Sequence, residues 1–284
     1  MTTVGRARRT GPRPRHDAPL RRTTGRIITL LTDFGGRDAY VGIMKGVALG
    51  ICPTATLVDL AHELPAQAVR AGALLLRSSV EYFPDGTVHL AVVDPGVGSA
   101  RAAIVVTTPR AFLVGPDNGL LAPAAARLGV RSVHRLSNES FFRSPVSATF
   151  HGRDVFAPVA AHLAAGTPPE AFGDALATLE PLDLPEPVIE PADIRGEVLY
   201  VDRFGNLVTN IPAEALSAFR GSEVFVRIAA MSPLSLTHTY ADAAPGAPLA
   251  VIGSWSMLEI AVRDGSAAEH FGAGIGTPVT VAGR

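Results

Sequence analysis

Ile27-Ile28-Thr29-Leu30-Leu31-Thr32-Asp33-Phe34-Gly35-Gly36 is where the chain changes character. A short apolar run ends in a polar, glycine-containing stretch, which reads as a buried strand entering a loop. Residues 38–50 then carry helical spacing, and Pro53 stops that helix. A second strand is predicted at Thr56–Leu60 and a second helix over 66–82. Val88–Val93 reads as a third strand, running into Asp94-Pro95-Gly96-Val97-Gly98. Further strands are expected at Ala103–Thr107 and Phe112–Val114, and helices at 118–128 and 154–165. Strands alternating with helices predict an α/β domain whose mostly parallel sheet is flanked by helices on both faces.

The texture shifts again at 174–193, where Pro181, Pro185, Pro187 and Pro191 fall among acids and mark a linker. Short strand candidates follow at Gly196–Val201, Leu207–Asn210, Glu223–Ile228, Leu249–Ile252, Leu258–Val262 and Pro278–Val281. Turn signals separate them, which predicts a smaller, barrel-like all-β domain. The expected layout is a tail over 1–26, an α/β domain over 27–173, the linker, and a β domain over 194–284.

Composition narrows the function classes. The 284 residues are 47% hydrophobic and 18% charged, which excludes a disordered or fibrous chain. Net charge is −1, yet residues 1–26 carry eight Arg against Asp17 alone. That tail buries too little to offset its ordering entropy, so it is expected to be disordered. It reads either as a solvated extension or as an arm for anionic surfaces; no aromatic interleaves its arginines, and the body is acidic, so nucleic-acid binding is not expected. No apolar run approaches the ~18 residues of a membrane helix. No signal peptide is read either, because the apolar stretch at Ile27 is short and meets Asp33, so a cytoplasmic protein is expected. Cys52 is the only cysteine, and the eight histidines lack metal-ligand spacing, so neither a disulfide nor a metal is predicted.

In an open parallel sheet, ligands sit beyond the carboxyl ends of the strands. Asp33 and Asp94 follow two such ends. Each either caps the next segment or accepts hydrogen bonds from a ligand, such as the vicinal diol of a ribose. Ser147-Ala148-Thr149-Phe150-His151-Gly152-Arg153-Asp154 gathers polar side chains before an apolar helix. There Asp154 is expected to cap the helix, and His151 is a general-base candidate. Asp202-Arg203-Phe204-Gly205-Asn206 is a hairpin turn or, alternatively, a ring to stack on a purine beside an amide to pair with its edge.

Seven segments stand together in one order: Leu31-Thr32-Asp33-Phe34-Gly35, Tyr40-Val41-Gly42, Met44-Lys45-Gly46, Val92-Val93-Asp94-Pro95-Gly96-Val97-Gly98, Pro116-Asp117-Asn118-Gly119-Leu120-Leu121, Thr149-Phe150-His151-Gly152-Arg153-Asp154 and Phe204-Gly205-Asn206. In these the chain resembles the S-adenosyl-L-methionine hydroxide adenosyltransferases, relatives of the fluorinases and chlorinases, over residues 27–284. The resemblance implies attack of water or hydroxide on C5′ of S-adenosylmethionine, releasing adenosine and L-methionine, with no further cofactor. It implies a catalytic set of Asp94, Arg101 and His151, with either Asp94 or His151 taking the proton. It further implies that Asp33 binds the ribose hydroxyls, that Phe204 and Asn206 hold adenine, and that Asp202 and Ser254 meet the amino-acid end. A homotrimer with sites shared between subunits is implied as well. Asp94 stands where the fluorinase has Tyr, and Trp255 where it has Arg; Arg263-Asp264-Gly265 replaces the family's usual Asn, and Gln67 an aromatic. A carboxylate beside the nucleophile disfavours a halide-using enzyme. The remaining alternative is a non-catalytic adenosine- or S-adenosylmethionine-binding module, which would not need the three catalytic groups together.

Overall fold

The computed structural model describes residues 26–219, 223–229 and 233–283. The Arg-rich tail expected to be disordered lies outside them, except for Arg26, whose side chain donates to Thr54 Oγ1 at 2.9 Å. The chain divides into two compact units between Leu182 and Asp183.

The first unit runs β1 (Ile27–Thr32), α1 (Tyr40–Ile51), β2 (Thr56–Ala61), α2 (Val69–Ser79), β3 (Thr87–Val92), β4 (Ala103–Thr107), β5 (Ala111–Pro116), α3 (Ala122–Leu128), β6 (Ser132–Arg135), α4 (Ala157–Ala165) and β7 (Ala175–Leu176). Its sheet has the order β2-β1-β3-β5-β4-β6-β7. The β1–β2, β1–β3 and β3–β5 pairings are parallel, while β4 is antiparallel to both β5 and β6, and β7 to β6. Five strands therefore share one direction and β4 and β7 oppose it. The reversal at β4 has a local cause. Only three residues join it to β5, and Thr108 closes the turn by donating to the Ala111 carbonyl from both N–H and Oγ1. A connection that short admits only an antiparallel pair.

The helices explain the burial of β1 and β3 on both faces. Met44 and Ala48 of α1 share one cluster with Val159, Ala160 and Leu163 of α4 and with Ile28, Leu30, Val88 and Leu90 of the sheet. Helix α2 packs with α3 instead. After β1 the chain crosses to β2 on one side, then returns to β3 on the other. The carboxyl ends of β1 and β3 thus flank a topological switch point, the place where an open α/β sheet offers a crevice. Asp33 and Asp94 emerge there.

Helices α1, α2 and α3 start two to four residues later than the spacing predicts. Gln67 takes a positive φ of 63°, so α2 begins at Val69 rather than at 66. The 118–121 stretch is turn, and α3 begins at Ala122. The short β6 was not read from the sequence.

The second unit contains β8 (Val188–Ile189), β9 (Asp193–Val201), β10 (Leu207–Pro212), β11 (Val224–Ile228), β12 (Leu234–Thr237), β13 (Pro248–Ile252), β14 (Met257–Val262), α5 (Ala267–Phe271) and β15 (Pro278–Gly283). The strand order β10-β14-β13-β12-β11-β15-β9 closes on itself through β9–β10 pairing, a seven-stranded barrel with β8 laid outside on β9. Closure leaves no free edge within the ring. The interior is apolar, with Ile194, Val198, Leu207, Val226, Ile260 and Val281 among its members.

His89 sits fully buried in β3, bonded through Nδ1 to Thr29 Oγ1 at 2.8 Å. Burial pushes its pKa down to about 4. The unfolded chain, with an ordinary histidine, binds that proton first, so stability falls as pH drops from about 6.5 towards 4. Wild-type protein should lose about 2–3 kcal/mol more than His89→Gln between pH 7 and 4.5, read from urea midpoints.

Candidate active site

The three groups named as catalytic meet in the first unit. Arg101 Nε donates to Asp94 Oδ1 at 3.0 Å and to Oδ2 at 3.1 Å, and its Nη2 also reaches Oδ2. The same Nη2 lies 2.9 Å from His151 Nδ1. A guanidinium can only donate, so Nδ1 accepts and the neutral ring carries its proton on Nε2. The Asp94 and Arg101 side chains are only 5% and 11% exposed, so the pair is shielded from water on most sides. The Arg101 Cζ also stacks 5.2 Å above the centre of the Phe156 ring. Read alone, Arg101 is a solvated strand-end charge; the fold instead turns it inward.

Local chain geometry makes this meeting possible. Gly98 has φ +77°, and a Cβ there would stand 2.6 Å from the Ala148 carbonyl oxygen. Only glycine lets the loop after β3 approach the loop that carries His151. The next residue over, Phe150, packs edge-on against Tyr40 at 5.2 Å and Phe34 at 6.1 Å, fixing the base of His151. Asn118, read from the sequence as part of a turn, donates through Nδ2 to the Val93 carbonyl at 2.9 Å and so braces the residue before Asp94.

Asp154 does not cap the helix as expected. The segment Gly152–Phe156 is a single wide π turn leading into α4, and its entry has no side-chain cap. The fully buried carboxylate instead accepts from the Ser147 N–H at 2.9 Å and from Arg153 Nε and Nη2, each at 2.7 Å. It thereby ties the start of the His151 loop to its end. Asp33 does not cap α1 either: its Oδ2 accepts from the Gln67 N–H at 2.7 Å. It is not bonded to the Asp94–Arg101–His151 group among the described residues. No three His, Cys, Asp or Glu side chains among the described residues are grouped as a metal site.

Burial is the main cause holding the His151 pKa below its ordinary value, and the Arg101 charge adds to it; Asp94 and Asp154 pull the other way. His151 is therefore neutral at pH 7.

The second unit gathers the other four predicted residues. Asp202, Phe204, Asn206 and Ser254 line one cavity of about 670 Å³, with Trp255 and Arg263 also on its wall. Asp202-Arg203-Phe204-Gly205-Asn206 is indeed a hairpin turn, joining β9 to β10. Asp202 Oδ1 accepts from the N–H groups of Phe204 at 2.8 Å and Asn206 at 2.9 Å. Its Oδ2 accepts from Asn206 Nδ2 at 2.9 Å. Gly205, at φ +81°, packs against Ser266, where any Cβ would collide with the serine hydroxyl. The turn so fixed presents the Phe204 ring 74% exposed. Sequence reasoning missed two residues of this wall, Tyr240 and Glu259. The available signal was Glu259 itself, a lone acid inside an apolar strand.

The chain thus pairs an α/β unit with polar groups at its switch point and a small β-barrel that carries an aromatic-amide pocket. Residues 28–173 match the SAM hydroxide adenosyltransferase N-terminal domain, and residues 196–280 match the C-terminal domain. The chain belongs to the SAM hydroxide adenosyltransferase family. A Salinispora tropica protein named (R)-S-adenosyl-L-methionine hydrolase is 43% identical over 86% of this chain and 93% of its own length. A Thermus thermophilus protein of the same name is 42% identical over 89% and 98%. A fluorinase from Actinoplanes is 29% identical over 90% and 97%. The crystal structure of an uncharacterized conserved protein from Thermotoga maritima superposes with a TM-score of 0.85 at 38% identity, covering 90% of this chain and 99% of that one.

The site geometry predicts a titration. In ¹⁵N-labelled protein, His151 should be the Nε2–H tautomer at pH 7 and titrate with a midpoint below 6.5. Arg101→Gln removes the positive neighbour and leaves Asp94 unpaired, so the midpoint should rise. An unchanged midpoint would show that the guanidinium does not act on the ring.

Proposed function

We propose that this chain hydrolyses S-adenosyl-L-methionine at C5′ to adenosine and L-methionine, with the R configuration at sulfur that its relatives' names carry. In that name L fixes the α-carbon, so R describes the sulfonium centre. The observation that carries the reading is the hydrogen-bonded Asp94–Arg101–His151 group in a chain of this family.

The chemistry asks little of the enzyme at the leaving group. As the C5′–S bond breaks, its electron pair returns to a positively charged sulfur and yields a neutral thioether. No acid and no cofactor is needed for that departure. The task is to hold one water, orient its lone pair along the C5′–S axis and remove a proton. Arg101 cannot take the proton. Neutral His151 has its Nδ1 lone pair turned to Arg101 and a proton on Nε2, so it donates to the water oxygen rather than deprotonating it. Of the two bases the sequence leaves open, this geometry favours Asp94, whose carboxylate retains a lone-pair site beside the three Arg101 bonds. Arg101 then steadies both the base and the incipient hydroxide.

The remaining contacts follow from the family resemblance and suit the groups present. Asp33 accepts from the ribose hydroxyls. Phe204 stacks on adenine, and the Asn206 carbonyl accepts from its exocyclic amine while the amide nitrogen serves Asp202. Asp202 and Ser254 stand at the amino-acid end. The same reading includes a homotrimer whose sites combine the α/β unit of one subunit with the barrel of a neighbour, and a cytoplasmic location.

Incubation in H₂¹⁸O should place the label in adenosine and none in methionine, with the R sulfonium epimer consumed faster than the S. Asp94→Asn and His151→Ala should each lower the rate about 10²-fold or more. Tight binding without adenosine release would instead favour a non-catalytic module, and 5′-chloro-5′-deoxyadenosine on adding chloride would favour halide transfer. Sedimentation equilibrium should give three times the 29.6 kDa chain mass, with activity lost on dilution below assembly. A fully active monomer would dismiss the shared site.

A further inference from the structure

The connection after β2 converges on the loop that carries Asp33. His62 Nδ1 lies 2.8 Å from Oγ1 of Thr32, the fully buried last residue of β1. The His62 carbonyl accepts from the Gly35 N–H at 2.8 Å, and Glu63 Oε1 from the Gly36 N–H at 2.6 Å. Gln67, at φ 63°, turns its N–H to Asp33 Oδ2 at 2.7 Å. A residue other than glycine is strained in that backbone region, and the bond to Asp33 is what the strain maintains.

His62 is the hub of this convergence. Its ring is mostly buried, and Nε2 faces Asp59 Oδ1 at 3.0 Å, an ion-pair distance without hydrogen-bond alignment. Lys45 of α1 holds the other Asp59 oxygen at 2.6 Å. A carboxylate only accepts, so in the neutral ring the proton stands on Nε2 and Nδ1 accepts from the Thr32 hydroxyl. The Thr32 oxygen is then free to accept from the Phe34 N–H at 3.3 Å. One oriented hydroxyl thus spans Asp33, from the residue before it to the residue after it. With Oδ2 taken by Gln67, Asp33 Oδ1 accepts nothing from the described residues and is left for a ligand. Stability alone does not call for this chain of contacts. The Lys45–Asp59 pair is partly exposed and contributes little. An apolar side chain could fill the place of the imidazole without the desolvation that a buried polar ring brings.

We propose that His62 is a positioning residue for the ribose end of the site. By orienting the Thr32 hydroxyl it fixes the turn at Asp33, aims Oδ1 at the 2′- and 3′-hydroxyls, and so makes the site select ribonucleosides over their deoxy forms. A carboxylate held in place to accept from hydroxyls rejects a guest that lacks them. The proposal rests on the reading of Asp33 as the ribose ligand, and it is independent of the hydrolysis.

Calorimetry would compare adenosine with 2′,3′-dideoxyadenosine. Wild type should bind adenosine at least about tenfold more tightly. His62→Gln carries its amide to the Nε2 position and leaves Thr32 without an acceptor. In that variant the adenosine Kd should rise about 5- to 20-fold, while that of dideoxyadenosine stays within about twofold. Thr32→Val should reproduce this loss. His62→Asn, whose side-chain oxygen stands near the Nδ1 position, should retain most of the selectivity. In an Asp33→Ala background, adding His62→Gln should change the adenosine Kd by less than about twofold, because its effect passes through Asp33. Parallel losses for both ligands, or wild-type selectivity in both His62→Gln and Thr32→Val, would overturn the role of His62. Equal wild-type affinities for the two nucleosides would instead remove Asp33 from the ribose, and the proposal with it. With the selectivity pattern intact, absence of adenosine from S-adenosylmethionine would sink only the hydrolysis.

Discussion

The arrangement depends on one guanidinium held between a carboxylate and an imidazole. Arg101 bonds both oxygens of Asp94 and the Nδ1 of His151, and these three residues come from two separate loops. An arginine can do this because its donors are fixed in a plane; a lysine, a point charge on a flexible stem, could not hold both partners in one geometry. The pairing also resolves an electrostatic problem. A carboxylate and a guanidinium shielded this far from water are each unfavourable alone and tolerable together. The ring of Phe156 under the guanidinium and the bracing of Val93 by Asn118 keep the pair in place.

The barrel shows how differently two carboxylates of one cavity can be bonded. Asp202 and Glu259 face one cavity, but the first accepts three hydrogen bonds from its own turn and the second accepts one, from Tyr240. Local geometry sets the difference. A β-turn delivers N–H groups to the aspartate that begins it, whereas a strand spends its N–H groups on its neighbours. Glu259 sits mid-strand and receives only what another segment, Tyr240, brings to it.

Much of this was legible before any coordinates, and what was not has physical causes. The apolar runs at Ile27 and Val88 marked β1 and β3 because burial on both faces leaves an almost unbroken hydrophobic stretch. The meeting of Asp94 with His151 was reachable only through the family resemblance, since spacing along a chain carries no record of which loops converge. Arg101 illustrates this sharply: alone it reads as a surface charge. The cap assigned to Asp154 failed because its partner, the Ser147 N–H, lies upstream of the helix, and because the helix opens with a π turn. The short strand β6 escaped because four residues carry too little periodicity to register. Glu259 was visible as an anomaly, but an acid in a strand acquires meaning only when a cavity is seen at its side.

The Asp94–Arg101 pair also bears on why hydrolysis of a cation can proceed beside an anion. A free carboxylate near C5′ would attract the sulfonium most strongly in the ground state. That attraction weakens as the sulfur loses its charge, so it would slow the reaction. On the proposed mechanism, Asp94 paired with Arg101, beside an uncharged His151, presents no net charge to the sulfonium. In that mechanism it offers donors and one base to an oxygen whose negative charge grows only as the transition state is approached. Stabilisation is then concentrated on the nucleophile, the one partner whose charge the enzyme must create. A halide ion needs no such creation and gains nothing from the base, which is consistent with Asp94 standing where the fluorinases carry a tyrosine.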